Sequence, residues 1–335
     1  MDAINKRVGK RILVAGGAGF IGSHLCDALL ADGNRVICVD SFLTGARSNI
    51  APLENHPDFQ LIQHDICAQL KINEPLDEIY NLACAASPPR YQADPIHTMM
   101  TCVVGTNNLL ALARKHGARF LQASTSEVYG DPETHPQPED YLGHVNCTGP
   151  RACYDEGKRA AEALCFDYLR LGQVDARVAR IFNTYGPRMQ ADDGRIVSNF
   201  INQALQSEPL TIYGTGRQTR SFCHVSDMVA GLIALMGVMP NPKAPVNLGN
   251  PGEFTVSELA ALVRKMVPGA GTLVRRPMPQ DDPRRRRPDI RRAKKLLKWQ
   301  PHISLPEGLE DTIAWFRLSE DKPGRKRRAW ATETA

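Results

Sequence analysis

Tyr154 and Lys158 stand four residues apart in YDEGK, on a stretch whose periodicity predicts a helix, so both side chains project from one face. An ammonium beside a phenol favours tyrosinate, lowers the tyrosine pKa and lets it act as a base or acid near neutral pH. Alone, such a pair is more often ordinary surface chemistry. Here it follows a predicted strand that ends in Ser124, Thr125, Ser126 and Glu127, and it lies downstream of a second chemical feature. Residues 16–22 read GGAGFIG, placing Gly16, Gly19 and Gly22 directly after the first apolar run and at the start of a helix carrying Ile21, Leu25 and Leu29. Glycine permits the tight turn and the approach of backbone amides to a pyrophosphate, which the helix N-terminus also attracts. Asp40 closes the second apolar run, near the ~20-residue offset of a ribose-binding acid. A carboxylate there accepts both ribose hydroxyls of NAD and repels the extra phosphate of NADP, so NAD is the expected cofactor. Arg47 is read as a solvated loop cation rather than a phosphate partner.

The elements that must hold these groups are legible as alternation. Short apolar runs at 12–15, 36–39, 59–62, 79–83, 120–123 and 176–181 read as buried strands separated by helix-length amphipathic segments. That order predicts an α/β fold, a doubly wound parallel sheet of the Rossmann kind, with ligands beyond the carboxyl ends of the strands. After about residue 184 the pattern loosens, with a helix over 197–205, a strand over 210–213, a helix over 225–236, a strand over 246–248, and helices near 256–266 and 306–316. The expected division is a dinucleotide-binding domain of 1–183 and 222–250, a smaller C-terminal substrate-binding domain of 184–221 and 251–318, and a disordered basic tail over 319–335. Helices over 97–116 and 151–171 could pair across a two-fold axis and, with the family resemblance described below, make a homodimer the expected assembly.

Composition sets the boundaries of function. A chain of 335 residues with 42% hydrophobic and 23% charged residues buries a full core, and its apolar runs are too short to cross a bilayer. The first residues carry basic groups but no apolar stretch of signal-peptide length, so a cytoplasmic protein without membrane partners is expected. Nine cysteines lack CxxC spacing and read as reduced thiols, with no metal site. The formal charge of +5 is concentrated at 284–295 and 325–328; the tail reads as solvated rather than as a nucleic-acid patch.

GGAGFIG, Asp40, Thr125 and the Tyr154/Lys158 pair resemble the extended short-chain dehydrogenases/reductases. Four longer stretches, ASTSEVYGDPE at 123–133, GPRACYDEGKR at 149–159, RIFNTYGPRM at 180–189 and QDDPRRRRPDI at 280–290, resemble one branch of that family, the UDP-glucuronate decarboxylases, over about residues 10–318. The resemblance implies that Tyr154 takes the proton of the sugar 4-hydroxyl while hydride passes to NAD, and that Thr125 hydrogen-bonds the same oxygen. It assigns Glu127 and Arg286 to the decarboxylation that follows. It also implies cofactor contacts from Gly16, Gly19, Phe20, Ile21, Gly22, Asp40, Thr44, Asp65, Ile66, Leu82, Tyr154 and Lys158. UDP-glucuronate would be held by Tyr91, Asn108, Asn183, Arg195, Tyr213, Gln218, Arg220 and Arg286.

The chain departs from that branch at Met100, where a lysine is usual, at Cys102, where asparagine is usual, and at Ala85 and Cys147, where proline is usual. A missing lysine would weaken the hold on an anionic sugar, and Arg90 is a candidate to compensate. The alternatives are a decarboxylase that releases the UDP-4-keto-pentose, a dTDP-glucose 4,6-dehydratase or 4-epimerase of the same fold, and a non-catalytic NAD-binding protein. Dehydratases place Asp-Glu after the catalytic threonine, whereas Ser126-Glu127 follows Thr125 here, and a non-catalytic protein would be expected to lose the Tyr, Lys or Thr that this chain keeps.

Overall fold

Along β1 (Arg11–Ala15), Ile12 and Val14 enter one apolar cluster while Leu13 and Ala15 enter another, and all four are buried. Burial on both faces is what a central strand of a parallel sheet requires. The structure, a computed structural model, describes residues 9–277 and 285–320. It continues with β2 (Arg35–Asp40), β3 (Phe59–Gln63), β4 (Glu78–Asn81), β5 (Arg119–Thr125) and β6 (Ala176–Ile181). Together with the strand Val246–Leu248 they form a seven-stranded sheet in the order Val246–Leu248, β6, β5, β4, β1, β2, β3. Every pairing in it is parallel. The strand order reverses between β1 and β4, which opens a crevice at their carboxyl ends.

Helix Phe20–Ala31 packs Leu25 and Leu29 against one face of the sheet, where helix Val225–Gly237 adds Met228 and Leu232. On the other face Leu109, Leu110 and Cys165 cover Leu13, Ile79 and Phe120. Fully buried side chains of this size contribute about 1.5–3 kcal/mol each. A further cluster, separate from both, joins Phe200 and Ile201 of helix Ile196–Leu205 to Leu259 and Val263 of helix Val256–Met266, and to Leu309 and Phe316 of helix Leu305–Glu320.

Of the elements that differ from their expected extents, the last helix runs Leu305–Glu320 rather than 306–316, into the first residues of the expected tail, and two others bear on the crevice. The run over 79–83 stops being a strand at Asn81, whose Nδ2 donates to Thr106 Oγ1 at 3.1 Å and Gln122 Oε1 at 2.9 Å while its Oδ1 accepts from the Ala83 amide at 3.2 Å. These bonds turn the chain out of the sheet toward the crevice. The helix expected over 97–116 begins at Pro95 and is interrupted by a π-helical turn, Thr101–Gly105, between Pro95–Met100 and Thr106–His116. At that turn a Cβ on Gly105 would come within 2.6 Å of Ile66, so glycine lets the helix press against the loop after β3. Among the described residues no helix is long and apolar enough to cross a membrane. The tail over 321–335, Arg284 and residues 280–283 of the QDDP motif lie outside the described residues.

Candidate active site

A cleft of about 1420 Å³ opens over the carboxyl ends of β1, β4 and β5. At its β1 end Gly16 adopts φ +76°, and a Cβ on Gly22 would stand 2.0 Å from the Gly16 carbonyl oxygen, so the loop and the helix start touch with no room for a side chain. Gly19 is the N-cap of helix Phe20–Ala31 and no side chain caps that end. Its amides are therefore left to serve a ligand, as a pyrophosphate requires. Asp40 is buried at the end of β2; its Oδ2 accepts from the Ala18 amide at 2.9 Å and its Oδ1 from the Phe42 amide at 2.8 Å. The carboxylate thus fastens the glycine loop to its own loop while still facing the cleft. Arg47 is paired with Glu54 at 2.7 Å. Phe20, Ile21, Thr44, Asp65, Ile66 and Leu82 line the same region. An uncapped helix start, a loop that tolerates only glycine and a carboxylate at the strand end fit NAD.

Tyr154 and Lys158 reach the cleft from helix Ala152–Arg170. Lys158 Nζ donates to the Ala123 carbonyl at 2.9 Å and lies 5.8 Å from the Tyr154 ring centroid. The Tyr154 ring stacks on Tyr91 with centroids 5.0 Å apart and planes 2° from parallel. Burial pushes this phenol well above its usual range, Cys84 adds to the shift, and a hydrogen bond with Thr125 opposes it. The expectation that Lys158 lowers the Tyr154 pKa is therefore not met by the protein alone: the ammonium is turned to a backbone carbonyl and desolvation dominates.

Thr125 ends β5 and caps the 3-10 turn Ser126–Tyr129; its Oγ1 accepts from the Glu127 amide at 3.2 Å. That bond uses an oxygen lone pair and leaves the hydroxyl hydrogen to donate. Glu127 receives Arg286 Nη1 at 2.5 Å and Nη2 at 2.8 Å, one on each oxygen, and Arg151 Nη2 at 2.8 Å. Burial alone would raise its carboxyl, but Arg286 and Arg151, with Arg220, overcome this and hold it at about 2. Glu127 is thus ionised at neutral pH, and acts there as an acceptor rather than a proton donor. Arg286 arrives on the short strand Arg285–Arg286, which pairs with Thr219–Ser221 so that Arg286 lies opposite Arg220.

Asn183, Arg195, Tyr213, Gln218 and Arg220 line the cleft. Two expected substrate contacts do not. Tyr91 is buried behind Tyr154, its hydroxyl enclosed, and Asn108 Nδ2 donates to the carbonyls of Ile66 at 2.9 Å and Cys67 at 3.1 Å. Both support residues that face the cleft instead of facing it. Met100 is surface-exposed and outside the cleft wall, so the departure from lysine leaves that wall unaltered. Cys102 is buried with its sulfur 3.4 Å from that of Cys84, Ala85 lines the cleft, and Cys147 is exposed. Arg90 lines the cleft and pairs with Asp192 at 2.7 Å. Sequence reasoning missed Arg151 as the second partner of Glu127, although it stands in GPRACYDEGKR one helical turn before Tyr154.

Residues 12–249 match the model of the NAD dependent epimerase/dehydratase family. The chain belongs to that family. Within it, the chain is similar to "UDP-glucuronic acid decarboxylase 1" of Xenopus tropicalis, with 56% identity over 308 residues, 92% of this chain and 72% of the relative. It is similar to "UDP-glucuronic acid decarboxylase 3" of Arabidopsis thaliana, with 53% identity over 93% of this chain and 91% of the relative. Among solved members of the family, a UDP-glucuronic acid 4-epimerase from Bacillus cereus, in complex with UDP-glucuronic acid and NAD, superposes with a TM-score of 0.82 at 29% identity, covering 92% and 99% of the two chains. As a member of this family the chain uses NAD.

Proposed function

We propose that the chain decarboxylates UDP-glucuronate to UDP-xylose through a 4-keto sugar. The observation that carries this reading is the Glu127–Arg286–Arg151 cluster, placed in the same cleft as Tyr154 and Thr125. Relatives named for this activity over nearly the whole chain support it. NAD, held by the Gly16–Gly22 loop and Asp40, would supply a reversible hydride acceptor for C4 and a positive charge that favours the tyrosinate form of Tyr154.

Tyr154 takes the proton of the 4-hydroxyl, and Thr125 donates its hydroxyl hydrogen to the same oxygen. The C6 carboxylate then lies β to a ketone, so the C5–C6 bond breaks to release carbon dioxide. The bonding electrons move into an enolate whose oxygen Tyr154 and Thr125 hold. Arg286, fixed by Glu127, attracts the carboxylate before it leaves. C5 then takes up a proton, and Tyr154 returns its own proton as C4 is reduced. Arg195 and Arg220 supply charge to the diphosphate, and Tyr213 an apolar face.

The segments 1–183 with 222–250 bind the dinucleotide and 184–221 with 251–318 bind the nucleotide sugar; the separate cluster of Phe200, Leu259 and Leu309 supports this division, whereas Ile290, Ala293 and Trp299 pack in the cluster of the sheet. A homodimer is supported by Ile96, Met100 and Val104, exposed apolar residues four apart along the helical run from Pro95. Cytoplasmic residence is supported by nine free cysteines. Incubating the protein with UDP-glucuronate and identifying the nucleotide sugar by mass tests the activity. UDP-xylose and carbon dioxide are expected; UDP-galacturonate without carbon dioxide would make it an epimerase, and a UDP-4-keto-pentose the releasing variant.

A further inference from the structure

Cys84 and Cys102 come from separate elements, the loop that leaves β4 and the π-helical turn Thr101–Gly105, and their sulfurs lie 3.4 Å apart. Cys84 lines the cleft, so one sulfur of the pair meets whatever enters it, while Cys102 is 1% exposed and stands behind. The reaction proposed for the cleft uses neither. A disulfide holds its sulfurs about 2.05 Å apart, so closing this pair takes a movement of only about 1.4 Å. Cys26 and Cys38 provide the contrast. They too are hydrogen-bonded sulfur to sulfur, but both are fully buried and neither lines the cleft, so the cleft gives an oxidant no path to them.

Oxidation of a thiol proceeds through its thiolate. The hydrogen bond with Cys84 pulls the Cys102 thiol below its ordinary range, against burial and with help from Lys158, while the same contact and burial push Cys84 up. One proton shared between two sulfurs lets the negative charge pass to the sulfur at the cleft. A bridge between them would reach the catalytic residues through packing. Cys102 lies against Gly157, between Tyr154 and Lys158 on one helix: a Cβ there would stand 3.0 Å from the Cys102 Cβ and 3.2 Å from its sulfur. Cys84 packs against the cluster of Ala85, Tyr91 and Tyr154, and its thiol donates to the Ala85 carbonyl at 3.2 Å, a bond that oxidation removes. With Cys102 backed by the helix, closing the bridge draws the Cys84 loop from its place beside Tyr154. A shift of about 1 Å at a reacting group can cost about 10²-fold in rate.

We propose that Cys84 and Cys102 are a reversible oxidation site, closed to a disulfide by a peroxide that enters the cleft, and that the closed form is inactive. The Cys84 thiolate attacks one peroxide oxygen and the O–O bond breaks, leaving a sulfenic acid on Cys84 and releasing the other oxygen as hydroxide. Cys102 then attacks the Cys84 sulfur, the S–O bond breaks and a second hydroxide leaves. The two hydroxides take up the two thiol protons and end as water. Two electrons pass from the sulfurs to the peroxide, and a dithiol returns them when it reopens the bridge. The switch acts whichever product the cleft makes.

The test treats NAD-loaded protein with hydrogen peroxide and follows two readouts, turnover of UDP-glucuronate and the masses of peptides from a tryptic digest, which separates Cys84 from Cys102 at Arg90. Turnover should fall by roughly 10-fold or more, a linked pair of peptides carrying Cys84 and Cys102 should appear, and dithiothreitol should reverse both. Cys26 and Cys38 should stay reduced. Cys84→Ser, which removes the sulfur at the cleft, should keep whatever turnover it starts with through the same treatment. Full turnover in protein that carries the bridge, a loss without the bridge or not reversed by dithiothreitol, or an equal loss in Cys84→Ser would overturn the proposal. The linked peptides and their recovery are read on the unsubstituted chain, so they decide the matter even if Cys84→Ser fails to fold. Turnover of UDP-glucuronate by the reduced protein without carbon dioxide would instead remove the decarboxylase reading, and the bridge would then be judged on the product formed.

Discussion

Arg286 meets Glu127 with two nitrogens, at 2.5 and 2.8 Å, across 159 residues of sequence. The pair ties the strand Arg285–Arg286 to the turn after β5, with the Arg286 side chain buried and that of Glu127 largely so. Removing one partner of a buried pair strands a charge and costs about 3–5 kcal/mol. Glu127→Gln, which keeps the shape and one accepting oxygen while removing the charge and the other acceptor, is therefore a more informative substitution than truncation.

Oxidation and decarboxylation should separate in variants. Tyr154→Phe should lose turnover by roughly 10²-fold or more, the scale of general acid–base catalysis, with no reduced-nicotinamide absorbance on adding UDP-glucuronate. Glu127→Gln should develop that absorbance while carbon dioxide release lags. Production of UDP-xylose by Glu127→Gln at the parent rate would take the glutamate out of the mechanism.

Acid stability should report the same carboxylate. Arg286 and Arg151, overcoming burial, hold the Glu127 carboxyl at about 2 in the folded protein against an ordinary 4.5. A depressed carboxyl stabilises above its unfolded pKa and loses that contribution as the pH falls through its folded value, so the loss should fall between about pH 4.5 and about 2. Melting temperatures taken from pH 6 to pH 3 should therefore decline less steeply for Glu127→Gln than for the parent. Parallel curves would contradict it.

Purified protein should already contain NAD, since the hydride is borrowed and returned and loss of the cofactor midway would strand the keto sugar. Denaturation followed by assay of the released nucleotide measures it. Turnover that strictly requires added NAD in equal amount to product would favour the keto-pentose-releasing variant instead.

Gly22→Ala should empty the cofactor site. The new Cβ would stand 2.0 Å from a backbone carbonyl oxygen that cannot swing aside, so the helix must shift from the loop at a cost of about 1–3 kcal/mol. Bound NAD should fall with the melting temperature. Full NAD content in a variant with unchanged melting temperature would show that the loop accommodates the methyl.

Association should respond to the exposed apolar row. Light scattering should give a dimer for the parent, and Met100→Lys with Val104→Lys should shift it toward monomer, because two charges would be buried in the contact. A parent that runs as a monomer at working concentration removes the dimer.

Local pattern was enough to reveal much of this molecule, and for a physical reason. Parallel strands buried on both faces must be short apolar runs, and a loop that brings backbone against a pyrophosphate must be glycine; such demands are written into adjacent residues, as in GGAGFIG with Asp40 and in Tyr154 with Lys158. Demands met by residues far apart were not legible. Nothing near Glu127 in sequence announces that Arg286 will neutralise it, and nothing in the spacing of Tyr154 and Lys158 announces that desolvation will outweigh the ammonium or that Asp155 will be sealed beside them. Tyr91 and Asn108 were expected at the substrate through the resemblance, yet the packing turns one behind Tyr154 and the other onto the carbonyls of Ile66 and Cys67. Spacing determines which side chains can share a face, whereas their charge state and direction follow from the groups that folding brings around them, and those come from every part of the chain.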